Sequence, residues 1–290
     1  MVILAHSGAG MLGLRDVLVE WQTGVLPSLG AAVELSALAA YVLAASRPSP
    51  RGRRWPRRRT ASFAIAIGLM MLVLQSGLAA YDERTWVHVV QHLVLMMVVP
   101  PLLAYSSPMT LLLRTLPSRR RRHVTRTLGS GGVRAAVDSS FTRWSLPVEY
   151  HGTMALFFLT GWQAFSDRHP ALHELTHAYF MTCGLVFWWP LVGADPARWR
   201  PSYRAKLFLV AVGVPVDAAL GLVLALAAHQ DAGLILALGG IAATALGLGL
   251  IVSQHATNPR SLSWQPLSMK PLHASSSTSA ECGPRPSTAV

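Results

Sequence analysis

Two strings of identical spacing carry the residues best suited to bind a metal. Each string contains two histidines and one methionine at intervals of four, and together they comprise His88, His92, Met96, His173, His177 and Met181. Residues four apart share one face of a helix, so both imidazoles of a pair can be directed at one ion. Imidazole binds zinc, copper, iron and nickel, whereas a thioether favours Cu(I). The strings therefore predict a copper site, with Cu(I) as the expected ion and zinc as the alternative.

The second string also matches a zinc-hydrolase motif. His173, Glu174 and His177 form H-E-x-x-H, in which two histidines bind zinc and the glutamate acts as a general base. An intramembrane zinc metallohydrolase is thus the main enzymatic alternative, but it needs a third ligand and leaves His88 and His92 unexplained. Haem ligation by two of the histidines is a further alternative. We predict a protein that binds metal without being an enzyme.

The elements that carry these histidines are expected to be membrane helices. The chain is 52% hydrophobic and 13% charged, with a mean hydropathy of +0.39, which indicates lipid as its main solvent. A bilayer core of about 30 Å requires roughly 20 apolar residues per helix. The sequence therefore predicts an all-α integral membrane protein with seven transmembrane helices. The seven apolar stretches are Leu26–Ala45, Ser62–Ala80, Val87–Leu103, Leu146–Phe165, Leu172–Val192, Leu207–Ala228 and Gly233–Ser253.

The basic residues predict the orientation of these helices. The net charge is +12, and most of the 25 lysines and arginines lie in the loops after the first, third and fifth stretches. By the positive-inside rule those loops are cytoplasmic, so we predict an outer N-terminus and a cytoplasmic C-terminus. This distribution explains the charge without a nucleic-acid partner. We divide the chain into an outer segment (residues 1–25), a seven-helix domain (26–254) and a disordered cytoplasmic tail (255–290).

The orientation places both histidine pairs at similar depth. The third and fifth helices both begin at the outer face, so all four imidazoles are expected in the outer half of the bilayer. Ionisable residues inside a membrane are costly and are often functional. Glu34 in the first stretch and Asp217 in the sixth are therefore additional candidates for binding metal or relaying protons.

Several strings resemble the CtaG family of cytochrome c oxidase assembly factors. They are HVVQHLVLMM at residues 88–97 followed by Pro100-Pro101, HELTH at residues 173–177, FWWPLVG at residues 187–193, and Asp195-Pro196. The resemblance covers roughly residues 20–250.

This resemblance implies a seven-helix protein of the bacterial plasma membrane that delivers copper to the copper-haem centre of cytochrome c oxidase. Its implied partners are oxidase subunit I and other copper chaperones, and its implied metal residues are His88, His92, His173 and His177. Where the family leads us to expect a histidine, this chain has Asp217, which becomes a further candidate ligand with Met96 and Met181.

Overall fold

The structure is a computed structural model that describes most of residues 21–257. The ranges left out within it are residue 23 and residues 49–53, 82–83, 129, 132–139, 194, 196–199 and 228–229. The predicted outer segment (1–25) and tail (255–290) lie almost entirely outside the described residues, so this division of the chain stays a prediction.

Every regular element in the described part of the chain is helical. A π-helical turn at Val94–Val98 joins the fourth and fifth α-helices. The α-helices are α1 (Val25–Ser46), α2 (Arg57–Leu74), α3 (Gly77–Ala80), α4 (Thr85–Leu93), α5 (Val99–Ser106), α6 (Pro108–Thr115), α7 (Ser118–Leu128), α8 (Ser140–Leu159), α9 (Trp162–Asp167), α10 (Pro170–Val192), α11 (Tyr203–Ala211), α12 (Gly213–Leu226) and α13 (Gln230–Thr257).

Six helical segments within the described residues are long and apolar enough to cross a membrane. They are Val25–Ser46, Arg57–Ala80, Thr85–Thr115, Pro170–Val192, Tyr203–Leu226 and Gln230–Ala256. The predicted all-helical, multi-pass membrane protein is therefore confirmed. The remaining predicted span, Leu146–Phe165, falls on α8 and α9, which are separated at Thr160 and Gly161. Its crossing of the membrane, and with it the seventh helix, stays a prediction.

Helices α4, α5, α8, α10 and α13 enclose the main core. Helix α10 contributes Phe180, Phe187 and Trp188, which pack against Met96 of the third span and Leu236 of α13. Large apolar side chains are exposed elsewhere, for example along the surface of α1. Contact of these side chains with water would be unfavourable, whereas contact with lipid would not.

The third span, Thr85–Thr115, continues past Pro100 and Pro101. Proline lacks a backbone N–H, so Pro100 and Pro101 cannot donate to the preceding turn, and the helix adopts the wider π form at Val94–Val98 just before them. The Met96 carbonyl oxygen lies directly against Gly184 of α10. A Cβ at Gly184 would also lie 2.6 Å from Pro100 Cγ, so glycine allows α10 and the third span to meet backbone to backbone.

A carboxylate from a distant loop caps the last helix of the third span. Ser107 separates α5 from α6 with a left-handed backbone (φ 55°). The buried Asp195 then accepts hydrogen bonds from the backbone N–H groups of Met109 (3.0 Å) and Thr110 (2.7 Å) at the start of α6. This interaction satisfies amides that a helix start leaves unpaired and ties the segment after α10 to the third span.

Candidate metal centre

Each histidine pair lies on one helix face, as its spacing predicts. On α4 the rings of His88 and His92 stack with centroids 4.6 Å apart, and both side chains are fully buried. On α10 the rings of His173 and His177 meet edge to face at 4.4 Å. His88 lies three residues after the start of α4 and His173 three residues after the start of α10. Each pair therefore starts in the first turn of its helix.

The structure brings the two pairs together across the helix interface. The centroids of His88 and His173 are 5.2 Å apart, and those of His92 and His177 are also 5.2 Å apart. The four rings thus form one cluster of two layers. The layer nearer the helix starts, called the outer layer, contains His88 and His173, and the inner layer contains His92 and His177.

Three of the four imidazoles can share an ion. His88, His173 and His177 each offer a ring nitrogen, and these nitrogens lie within 4.8 Å of one another. Ligands about 2.05 Å from a tetrahedral metal are separated by about 3.4 Å, so small side-chain rotations would close the site. His92 lies outside this group of three but faces His177, where it can serve as a fourth ligand.

The inner layer of the cluster is surrounded by apolar rings, and its ring nitrogens have no hydrogen-bond partner among the described residues. The His92 ring contacts Phe180 at 4.1 Å and Phe157 at 4.5 Å between centroids. Among the described residues, neither ring nitrogen of His92 or of His177 has a hydrogen-bond partner. Each buried polar group left unsatisfied costs about 1–3 kcal/mol. A bound metal would satisfy one such nitrogen per ring, and the site residues therefore fit a metal.

Asp167 completes the outer side of the cluster and was missed in the sequence analysis. Its Oδ1 atom lies 3.4 Å from His173 Nδ1 and 3.8 Å from His88 Nδ1. Burial raises the pKa of this carboxyl above its ordinary value, while the charge and hydrogen bond of His173 lower it. A carboxylate at Nδ1 orients an imidazole and directs Nε2 towards a metal. Only its position six residues before His173 in an outer loop could have suggested this role.

The structure places both candidate methionines in apolar packing. Met96 is fully buried in the core cluster that contains Phe180, and Met181 packs against the side of the third span that contains Val99. Both lie on the helices of the histidine cluster, one turn beyond it.

The candidate carboxylates lie apart from the histidine cluster. Glu34 is buried and accepts a hydrogen bond from the side-chain amide of Gln75. Glu174 is exposed on α10, although its neighbours in the H-E-x-x-H motif point inwards. Asp217 lines a separate cavity with His151.

Comparisons with known proteins relate this arrangement to an assembly-factor family. Residues 39–261 match the family described as cytochrome c oxidase caa3 assembly factor (Caa3_CtaG). Uncharacterised proteins of Mycobacterium bovis and Mycobacterium tuberculosis are each 28% identical over 219 residues, which cover 73% of this chain and 32% of each relative. A protein of Mycobacterium leprae is 27% identical over 192 residues, covering 63% of this chain and 28% of that protein. The chain thus spans about a third of the length of these relatives. No solved structure matches it at a significant level.

Proposed function

Since the chain belongs to the cytochrome c oxidase caa3 assembly factor family, we propose that it binds copper at the histidine cluster and delivers it to the copper-haem centre of the oxidase. The observation that carries this proposal is the convergence of three imidazole nitrogens within 4.8 Å in a buried site. Neither histidine pair could form such a site on its own helix. The site requires α4 and α10 to lie side by side with their pairs at the same depth.

The charge of the site supports Cu(I) over a divalent ion. The imidazoles are neutral ligands, so a bound ion keeps most of its charge in an apolar environment. The cost of transferring an ion from water rises with the square of its charge, so a divalent ion pays roughly four times as much as a monovalent one. Asp167 offsets part of this charge on the outer side, where a carboxylate can also attract the cation.

Delivery from the outer side follows from the proposed topology. We place the N-terminus outside and α8 across the membrane as the seventh span of a bacterial plasma-membrane protein. The histidine cluster then lies about one to two helical turns below the outer surface, at 1.5 Å per residue. In this position it can receive copper from another copper chaperone and transfer it to subunit I of the oxidase within the same bilayer.

Copper stoichiometry tests the proposal. We expect purified protein to bind Cu(I), and a variant with His88→Ala, His92→Ala, His173→Ala and His177→Ala to bind none at that site. His123→Ala, on the exposed helix α7, is the matched control and should behave as wild type. In cells that lack the native gene, wild type and His123→Ala should restore oxidase activity, whereas the fourfold variant should not. Equal copper in the fourfold variant and wild type would overturn the proposal.

A zinc hydrolase is the second candidate because His88 supplies the third ligand that the H-E-x-x-H motif lacks. Its general base would be Glu174, which is exposed whereas His177 is buried. The variant Glu174→Gln separates the two functions. Copper delivery predicts normal oxidase assembly in this variant, whereas hydrolysis predicts loss of function with the metal still bound.

A further inference from the structure

A second group of polar side chains surrounds a small cavity among α8, α10, α12 and α13, deeper in the protein than the histidine cluster. The cavity has a volume of about 10 Å³, close to the space that one water molecule or one small ion occupies. Its polar lining includes Asp217 of α12, His151 and Tyr150 of α8, and Thr244 of α13.

The side chains of Asp217, His151 and Thr244 lie around one point beside Gly213. A Cβ placed at Gly213 would lie 3.2 Å from His151 Cε1, 3.5 Å from Thr244 Oγ1 and 3.7 Å from Asp217 Oδ2. At Gly240 of α13, a Cβ would lie within 3 Å of the Asp217 carboxylate. Two glycines therefore leave the room in which the carboxylate and its neighbours meet.

In the described part of the chain, the cavity lining offers the buried Asp217 carboxylate no lysine or arginine as a partner. Its side chain is only 2% exposed, and Oδ2 has no hydrogen-bond partner among the described residues. An unpaired carboxylate within a membrane span is strongly unfavourable, so Asp217 either holds a proton or pairs with a bound cation.

His151 presents a lone pair in the same region. Its Nε2 atom lies 3.1 Å from the carbonyl oxygen of Leu209, and a carbonyl can only accept a hydrogen bond. Nε2 therefore carries the proton, and Nδ1 of the neutral ring is an acceptor. This Nδ1 atom is buried and lacks a hydrogen-bond partner among the described residues. The contact with Leu209 also fixes the ring, as expected for a ligand imidazole.

We propose that Asp217, His151 and Thr244 form a second, inner site for a divalent transition-metal cation. Imidazole binds zinc, copper, iron and nickel, and carboxylate oxygen binds harder divalent ions such as manganese, so this mixed set differs from the all-imidazole set of the outer cluster. The carboxylate also removes one unit of the charge that makes a divalent ion unfavourable in the outer cluster.

The inner site lies in series with the outer one along the third span. Met97 lines the cavity and follows His92 by five residues, which is about 7.5 Å along a helix axis. The π-helical turn at Val94–Val98 occupies the segment between them. This inference rests on the proposed metal-handling function for its biological meaning, but the site is defined by its own residues.

Metal stoichiometry with excess Zn²⁺ and no copper distinguishes the two sites, because imidazole also binds zinc and excess metal fills the outer cluster despite its preference for Cu(I). We expect wild type to bind two ions and the fourfold histidine variant described above to bind one. Adding Asp217→Asn to that variant should remove the last ion, whereas adding Asp231→Asn, at an exposed position on α13, should leave it. Retention of the ion in the Asp217→Asn variant, or no ion in the fourfold variant, would overturn the inner site.

The same measurements separate failure of this inference from failure of the proposed function. If wild type binds one ion that the fourfold variant loses, the inner site is wrong and the outer site stands. If Asp217→Asn removes zinc and the histidine changes alter neither zinc nor Cu(I) binding, the outer site is wrong and the inner site stands. An anomalous X-ray map of zinc-loaded wild type avoids variants that fail to fold. It should show a peak beside Asp217, and a peak at the histidines alone would refute the inner site.

Discussion

Replacing Gly184 with alanine should weaken copper binding without touching any ligand. A Cβ at Gly184 would lie 2.6 Å from Pro100 Cγ and closer still to the Met96 carbonyl oxygen. Ordinary contact begins at 3.4 Å, so α10 and the third span must separate by at least about 0.8 Å. These are the helices that carry the two histidine pairs. Their separation opposes the approach of nitrogens that must move from 4.8 Å to about 3.4 Å to bind an ion.

The size of the effect follows from the cost of overpacking. Extra volume in a packed core costs about 1–3 kcal/mol, and 1.4 kcal/mol corresponds to a factor of ten in affinity. If metal binding requires the closer approach, Cu(I) affinity should fall roughly fivefold to hundredfold. Gly184 lies seven residues beyond His177, about 10.5 Å along the helix, so the change perturbs geometry and leaves the ligands in place.

Competition with a chromophoric Cu(I) chelator measures this affinity in detergent-solubilised protein. Gly68→Ala and Gly152→Ala are matched controls, because a Cβ at either position meets nothing within 4 Å. Both should bind copper as wild type does. If Gly184→Ala binds Cu(I) as tightly as the controls, the cluster does not depend on close contact between α10 and the third span.

Three further predictions concern the histidine cluster. His177→Ala should lower bound copper to less than about a tenth of wild type, since each lost ligand costs several kcal/mol. The exposed control His123→Ala should keep full occupancy. Equal copper occupancy in the two variants would exclude His177 as a ligand. Asp167→Asn should weaken Cu(I) binding about two- to fivefold, as expected for a half-exposed charge, whereas the control Asp231→Asn should not. Identical Cu(I) titrations of the two variants would show that Asp167 does not contribute to the site. Cu(I) at a hundred times its Kd should stabilise the fold by about 2.7 kcal/mol. The effect should appear as a higher Tm that a copper chelator reverses. The same rise in Tm in the fourfold histidine variant would show that the copper binds elsewhere.

The sequence predicted the helices and the histidine faces because both depend on local periodicity. The apolar stretch Leu172–Val192 differs from α10 by two residues at its start and ends at the same residue. The four-residue spacing predicted that both histidines of each pair lie on one helix face. The predicted third stretch ended at Leu103, whereas the span continues to Thr115, because Asp195 and the left-handed Ser107 allow the chain to continue as α6. No local sequence pattern predicts the hydrogen bonds that Asp195 makes to α6.

The contacts between helices could not be predicted, because they depend on packing across large sequence separations. Asp167 joins the histidines only when α9 lies over the cluster. Asp217, an additional candidate in the sequence, lines the cavity with His151, since α12 packs on α13 and α8. The pairing of Gly184 with the Met96 carbonyl is likewise a product of the assembled bundle.

The cap that Asp195 provides to α6 also imposes an order on biosynthesis. The carboxylate is translated 86 residues after Met109 and 85 after Thr110, whose amides it binds. At roughly 5–20 residues per second, those amides wait about 4 to 17 seconds for their partner. The end of the third span therefore cannot take its final form until α10 has left the ribosome. The two helices that carry the histidines thus mature together, and a nascent chain stalled before α10 would have neither the cap nor the second half of the metal centre.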